Sequence, residues 1–157
     1  MMTEEGYRLL RAFESFVPLE YVCVAGRRTI GYGHVLDGGE HYPAGLTREQ
    51  GEELLRRDVA FFEQIVRETV KAPLTDYQGD ALISFAFNVG ARAFAGSTLV
   101  RELNDGNEAA VPRELARWVY ANGYVWRGLV FRRRLEGELF RTGNYVSVIT
   151  QAERGMK

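Results

Sequence analysis

The pattern of hydrophobic and polar positions changes twice along the chain. At the start, apolar residues recur every three positions, the spacing of one helical face: Tyr7, Leu10 and Phe13. Thr3 is placed to cap this helix, and Pro18 disfavours helical backbone at the residue before it. The helix is therefore expected to end near Ser15 or Phe16, with Glu14 in its last turn.

Between Tyr21 and about Tyr42 the pattern becomes short and alternating, and glycines interrupt it. The runs YVCV and TIGYGHV suit short strands joined by tight turns. Within the second run, Gly31 and Gly33 mark a place where the backbone bends or where another group comes close. We predict a small sheet lobe at about residues 20–46.

After this lobe the hydrophobic period is helical. Two capping boxes, Thr47 with Gln50 and Thr75 with Gln78, predict the starts of two helices. The run ALISFAFNVG is apolar on nearly all sides, so its helix is expected at the centre of a bundle. Further helices closed by glycines are predicted in STLVRELNDG, PRELARWVYANG and GLVFRRRLEGELFRTG.

These elements predict an α+β architecture in a single domain that spans residues 1–157. The sheet lobe would pack beside a mainly helical lobe, formed by about residues 47–157 and the N-terminal helix. A cleft between two such lobes is a common place for a ligand.

Composition narrows the possible functions. Hydrophobic residues make up 46% of the chain, enough for a core, and the net charge of −1 argues against nucleic-acid binding. The basic run Arg132, Arg133 and Arg134 is interpreted as a solvated helix face paired with Glu136 and Glu138. One cysteine excludes an intramolecular disulfide, and with two histidines it is too little for an ordinary zinc site.

No cofactor is therefore expected, and nothing in the sequence suggests an obligate oligomer, so a monomer is predicted. The N-terminal residues carry too many charges for a signal peptide or a membrane span. This predicts synthesis and folding in a cytoplasm.

Glu14 is the first candidate for acid–base chemistry. It lies at the electronegative end of the predicted helix, and Phe13, Phe16 and Val17 are its apolar neighbours. Both influences would raise its pKa, as a general acid near neutral pH requires. The alternative is an ordinary surface glutamate.

Cys23 and Thr29 lie on adjacent predicted strands. Their side chains share a sheet face only if the loop between the strands has an odd number of residues, and AGR, with Gly26 in the left-handed conformation, is such a loop. Taken alone, Cys23 suits a small buried apolar position and Thr29 an ordinary strand position. Three carboxylates could also face the cleft, although solvated turns are the simpler interpretation: Glu20, Asp37 and Glu40.

The segment FESFVPLEYVCVAGRRTIGYGH resembles the catalytic signature of the phage-type lysozymes, the endolysins of glycoside hydrolase family 24. Their pattern is Glu, eight residues, Asp or Cys, five residues and Thr, leading into TIGYGH, and Glu14, Cys23 and Thr29 match it. Later blocks resemble the family as well, so the resemblance runs from roughly Glu5 to Gly143: LTDYQGDALISFAFNVG, STLVRELNDG, WVYANGYVWRGLVFRRRLE and LFRTG.

The resemblance implies hydrolysis of the β-1,4 bond between N-acetylmuramic acid and N-acetylglucosamine in peptidoglycan, leading to host-cell lysis. Glu14 would be the general acid. Cys23, the cysteine variant of the pattern, would act as a base toward water held by Thr29, as a nucleophile, or as scaffold. The resemblance also implies candidates for contact with the glycan: Tyr32, Val35, Phe87 and Asn88.

Three other side chains near the motifs have less direct assignments. His34 is expected to hold the sheet by hydrogen bonds and not to titrate in catalysis. Trp126 is a better candidate than Trp118 for stacking on a sugar, because burial in the core suits Trp118 equally well.

Two other functions stay open. A lytic transglycosylase would cleave the same bond without water and leave a 1,6-anhydro sugar. A catalytically inactive protein would bind peptidoglycan without cutting it. For an enzyme of this family without an export signal, access to the wall is expected only after a holin opens the inner membrane.

Overall fold

Two short antiparallel sheets are set among the helices of this chain. The computed structural model describes residues 1–155. In chain order the elements are α1 (Glu4–Glu14), β1 (Val17–Val22), β2 (Arg28–Gly31), β3 (His34–Val35), α2 (Arg48–Thr69), α3 (Asp76–Val89), α4 (Ala91–Ala95), α5 (Thr98–Asn104), α6 (Val111–Leu115), β4 (Tyr120–Ala121), β5 (Tyr124–Val125), α7 (Arg127–Thr142) and α8 (Tyr145–Gly155). A 3-10 turn, Glu108–Ala110, precedes α6. This arrangement confirms the predicted α+β class.

The helix starts predicted from caps are confirmed. The Thr3 side chain accepts a hydrogen bond from the Gly6 N–H at 3.0 Å, and both capping boxes form at the starts of α2 and α3. Helix α1 ends at Glu14, one residue before the expected boundary. Ser15 then turns the chain with φ 52 and ψ 155, a conformation that side-chain-bearing residues seldom adopt.

The three-stranded sheet begins earlier than predicted, at Val17, and β1 is irregular. Val17 pairs with Gly31 and Tyr21 with Thr29, so residues 18–20 lie opposite a single residue of β2. Pro18 has no N–H for the ladder, and its carbonyl accepts from Leu46 N at 2.9 Å. The extra residues form a bulge that bends β1 around the sheet.

The two faces of this sheet have different neighbours. Ile30 and His34 are paired across β2 and β3, and Ile30 is buried in a small core that Leu54 of α2 completes. Thr29 and Val35 are paired on the opposite face. Because side chains alternate along a strand, this second face points away from the small core, with Thr29 buried and Val35 exposed on it.

Helix α3 lies at the centre of the helical lobe, as its all-round apolar character predicted. It packs against α1, α2 and α7, and eight of its residues are buried. No helix within residues 1–155 has the length and apolar character needed to cross a membrane.

The segment PRELARWVYANG does not form the predicted helix up to its glycine. Helix α6 ends at Leu115, and the chain then enters a hairpin in which Tyr120 pairs with Val125. Asn122 and Gly123 have φ of 51 and 80, which is the backbone of a two-residue hairpin turn. The dipeptide Asn-Gly is itself a strong hairpin signal, so this prediction was wrong for a reason visible in the sequence.

Candidate active site

Glu14 is the last residue of α1, and a buried arginine side chain binds its carboxylate. Its side chain is 16% exposed, and Oε1 accepts a hydrogen bond from Nη1 of Arg132 on α7 at 2.5 Å. Arg132 also donates from Nε to Glu136 Oε1 at 3.1 Å and from Nη2 to the Ser84 carbonyl at 3.1 Å. One guanidinium therefore fixes Oε1 of Glu14, while Oε2 lies on the side of Gly33.

The interpretation of the arginine run as a solvated face was wrong for two of its three members. Arg132 and Arg133 have side chains 5% and 1% exposed, whereas Arg134 is exposed and lies 3.8 Å from Glu138. Consecutive helical residues are about 100° apart, so three arginines in a row cannot all face solvent on a helix packed on two sides.

The buried arginines are matched by carboxylates. Glu136 is fully buried, accepts from Ser84 Oγ at 2.6 Å, and lies 2.7 Å from Arg133 Nε. Burial lowers the pKa of Arg132, but Glu14 and Glu136 outweigh it and raise the pKa. Burial lowers the pKa of Arg133 to about 10. Two guanidinium groups and two carboxylates thus form one buried network, and Glu14 is its most exposed member.

Gly33 lies against the other oxygen of Glu14. Its φ is +75, and a Cβ at this position would come within 2.5 Å of Glu14 Oε2 and 3.6 Å of Phe87 Cε1. The glycine therefore serves both the turn between β2 and β3 and the close approach of that turn to the carboxylate. This explains why the segment TIGYGHV places a glycine there.

Cys23 follows β1 in a turn that we call the Cys23 turn, residues 23–27. Its N–H donates to the Arg27 carbonyl at 2.9 Å, and the Thr29 hydroxyl donates to the same carbonyl at 2.9 Å. The loop has an odd number of residues, the condition for a shared face, with φ +78 at Gly26, but it is VAG and not AGR. Cys23 consequently lies diagonal to Thr29 on one face and not directly opposite.

The thiol lies in surroundings that favour its ionised form. Burial raises the pKa of Cys23. Hydrogen bonds from the Arg27 backbone and the Thr29 side chain have the opposite effect and outweigh burial, so the pKa lies below its ordinary value. Tyr21 connects the two candidate groups: burial raises its pKa, and the charges of Glu14 and Cys23 raise it as well. Glu14 and Cys23 therefore act on one common phenol.

The candidates for glycan contact fall in different surroundings. Val35 is 42% exposed and is paired with Thr29, and Phe87 lies beside Gly33. Asn88 is exposed near the end of α3. Tyr32 is only 8% exposed and packs 5.3 Å from the Phe16 ring, which leaves little of it for a sugar.

The competing carboxylates are engaged in structural contacts. Glu20 accepts from Tyr42 N, and this bond, with help from Arg28, lowers the pKa of Glu20 to about 2. Glu40 lies 3.0 Å from His34 Nε2 and accepts from Asp37 N at 3.0 Å. Asp37 is an exposed turn residue, as the simpler interpretation had it.

His34 and the two tryptophans also have defined places. His34 Nδ1 lies 2.8 Å from Asp58 Oδ2 on α2, and this contact raises the pKa of His34 to about 9. His34 therefore holds the sheet against α2, as expected. Trp118 packs on the buried Phe85 ring at 5.5 Å, whereas Trp126 is 41% exposed and donates from Nε1 to the Ala121 carbonyl.

An acid at the end of the first helix, placed between a three-stranded sheet and a helical lobe, defines the lysozyme-like class of α+β proteins. The family model described as phage lysozyme matches residues 11–136. The chain therefore belongs to the phage lysozyme family.

Particular relatives support this membership. The chain is 39% identical to an endolysin of Bacillus phage PZA over 145 residues, 90% of this chain and 55% of that protein. It is 37% identical to an endolysin of Acyrthosiphon pisum secondary endosymbiont phage 1, over 90% of this chain and 98% of that protein. The solved muramidase domain of SpmX from Asticaccaulis excentricus matches with a TM-score of 0.81 at 34% identity, covering 90% of this chain and 98% of that one.

The extent of these matches differs. The chain spans only 55% and 59% of the length of two endolysins from Bacillus phages, PZA and B103.

Proposed function

We propose that this chain is a muramidase that hydrolyses the β-1,4 bond between N-acetylmuramic acid and N-acetylglucosamine in bacterial peptidoglycan. The observation that carries the proposal is the Glu14 carboxylate, held between the buried Arg132 and the backbone of Gly33. Its relatives point the same way, because they are named endolysins and one structural neighbour is named a muramidase domain.

Glu14 supplies the proton in the proposed reaction. Arg132 takes Oε1, so Oε2 is the oxygen that carries the proton to the glycosidic oxygen. As the bond breaks, positive charge develops at the anomeric carbon in an oxocarbenium-like transition state. A negative or nucleophilic group on the far side of the sugar then completes the reaction.

Cys23 and Thr29 are the proposed groups on the far side. The lowered pKa of the thiol increases the thiolate fraction near neutral pH, and the thiolate is the reactive form. The single Thr29 hydroxyl hydrogen can serve either the Arg27 carbonyl or the thiolate, but not both at once. The Thr29 hydroxyl can thus turn from the Arg27 carbonyl to Cys23 when the thiol is ionised, while the thiolate activates water or attacks the sugar.

The remaining parts of the proposal concern contacts and location. Val35, Phe87 and Asn88 are proposed to contact the glycan, with Tyr32 supporting the turn from behind. The chain is proposed to act as a monomer on the cell wall, reaching it after a separate protein opens the inner membrane.

Clearing of outer-membrane-stripped Gram-negative cells, with masses of the released fragments, tests this function. Glu14→Gln removes the proton and is expected to slow clearing by about 10²–10⁴-fold, the usual worth of a general acid. Glu5→Gln, an exposed glutamate on the same helix, is the matched control and should clear like the wild type. Hydrated reducing-end fragments are expected.

Cys23→Ser decides the part played by the thiol. Lost clearing in the folded variant makes the thiol a chemical participant, and retained clearing reduces it to scaffold. Anhydro fragments would move the enzyme to the lytic transglycosylases. Wall binding by folded wild type with no fragments released would contradict any enzymatic assignment and leave a binding protein.

A further inference from the structure

The hairpin formed by β4 and β5 has no part in the proposed chemistry, yet its turn and its base are both fixed by specific contacts. Its turn residues Asn122 and Gly123 hold left-handed backbone conformations. Trp126 closes its base, since the Trp126 N–H donates to the Val119 carbonyl at 2.9 Å and the indole N–H donates to the Ala121 carbonyl at 2.8 Å. The tip of the hairpin therefore has a defined position.

That tip contacts the Cys23 turn. Asn122 Nδ2 donates to the Val24 carbonyl at 3.0 Å, although the two residues are 98 positions apart in sequence. Val24 directly follows Cys23 and belongs to the turn closed by the Gly26 N–H on the Cys23 carbonyl at 2.8 Å. Within residues 1–155, no second hydrogen bond joins the hairpin to this turn.

The Cys23 turn has little else on its outer side. Val22 and Val24 are 67% and 52% exposed, and a Cβ on Gly26 would meet no atom within 4 Å. A turn without packed side chains is held chiefly by its own backbone bonds and by groups that reach it from elsewhere. The Asn122 amide is such a group.

One continuous segment also reaches both candidate groups. Asn122 bonds to the turn that carries Cys23, and Arg132, ten positions later, bonds to Glu14. The hairpin and the start of α7 therefore contact both halves of the candidate site, and the separation of two such groups decides whether a water molecule fits between them.

We propose that Asn122 is a positioning residue, which holds the Cys23 turn through the Val24 carbonyl and so fixes the thiol relative to Glu14. The catalytic importance of this positioning rests on the proposed function. The contact itself does not, because it can be measured at the thiol without any substrate.

The surroundings of the thiol set the expected direction. Its titratable neighbours are Tyr21 on β1 and, acting on the same phenol, Glu14 on α1. The bonds that lower the Cys23 pKa come from within the turn and from Thr29. A turn released from Asn122 would hold these bonds less well, so the pKa of the thiol should rise.

Cys23 is the only cysteine, so its alkylation by iodoacetamide reports on this one site. We would measure the alkylation rate from pH 6 to 10 for wild type, Asn122→Gly and Asn122→Asp. Both variants tolerate the left-handed turn and both lose the amide donor. Only Asp adds a charge, so agreement between the two isolates the loss of the hydrogen bond.

The matched control is Asn104→Asp. The Asn104 amide also donates to a backbone carbonyl of another element, Thr69, at 2.9 Å, but it lies outside the hairpin. The pH midpoint of alkylation should move up by roughly half a unit in both Asn122 variants, which means about threefold less thiolate below the midpoint. The control should keep the wild-type midpoint.

An unchanged midpoint in both folded Asn122 variants would overturn the proposal, whether or not the protein clears cell walls. A raised midpoint in both, with a wild-type control, would support it even if no clearing is seen. Failure of the positioning role and failure of the muramidase function therefore give different results.

Discussion

Glu14 and Cys23 are held in opposite ways. Glu14 is fixed by side chains, through a guanidinium that is 5% exposed and belongs to a buried network with Glu136. Cys23 is fixed by backbone hydrogen bonds in an open turn and by one amide from the hairpin. One half of the candidate site is thus part of the core, and the other half is attached to the surface.

This difference suggests how the two halves respond to change. Substitutions behind Glu14 disturb buried charges, so they should alter stability and activity together. Substitutions around Cys23 disturb few packed atoms, so they should alter the reactivity of the thiol with little effect on stability. The Asn122 variants test the Cys23 half of this division, and the predictions below test the Glu14 half and the sheet beside it, from the largest expected effect to the smallest.

Removal of Arg132 should be the most damaging single change. Arg132→Met leaves Glu14 without the guanidinium that binds it, and leaves Glu136 with Arg133 alone. Breaking a buried pair by removing one partner costs about 3–5 kcal/mol in the free energy of unfolding. Urea unfolding measures this loss, and wall clearing should fall with it because Glu14 is no longer oriented.

Arg134→Met is the matched control on the same helix. Arg134 is half exposed, and surface ion pairs contribute about 0–1 kcal/mol. If Arg132→Met and Arg134→Met lower the free energy of unfolding by the same amount, the buried network does not stabilise the protein more than a surface ion pair does.

Gly33→Ala should affect the point where the sheet touches Glu14. The new methyl group would lie 2.5 Å from Glu14 Oε2, and the backbone would keep an unfavourable φ of +75. The backbone strain costs about 1–3 kcal/mol, and displacing a catalytic group by about 1 Å can lower the rate 10²-fold. Wall clearing and urea unfolding, measured together, give both values.

Gly106→Ala separates strain from contact. Gly106 has φ +87, and a Cβ there would meet nothing within 4 Å. This variant should lose a similar amount of stability but keep wild-type clearing. Equal losses of clearing in both variants would mean that the contact of Gly33 with Glu14 has no catalytic consequence.

The same division explains what could be predicted from sequence. Local signals succeeded: Thr3, Thr47 and Thr75 cap their helices, and Glu14 lies in the last turn of α1. The β1–β2 loop is odd, which is the condition under which alternating side chains put Cys23 and Thr29 on one face. Its register was wrong by one pair, since either VAG or AGR satisfies the same parity.

The buried network could not be predicted from local signals alone, because Arg132 and Glu14 are 118 positions apart. A partial signal was nevertheless present. Leu129, Arg132, Glu136 and Leu139 follow one another at the spacing of a single helical face. A charged pair placed between two leucines on one face indicates buried charges that satisfy each other.

His34 should give the smallest effect and a definite pH dependence. Asp58 is the main cause that raises the His34 pKa from 6.5 to about 9 in the folded protein. A raised folded pKa stabilises the fold fully below about pH 6.5, and this contribution is lost as the pH rises through 9. Allowing for partial exposure of the ring, the contribution is about 1–2 kcal/mol.

His34→Gln measures this contribution, because other titrating groups are common to both proteins and cancel in the difference. Urea unfolding at pH 6 and pH 10 should show that wild type loses about 1–2 kcal/mol more than the variant between these pH values. His34 follows Gly33 and joins β3 to α2. Such a difference would therefore mean that the contact between the sheet and α2 contributes to the stability of the sheet lobe. Parallel pH curves would instead mean that the sheet is held without the His34–Asp58 contact, and that the glycine turn keeps its position by packing alone.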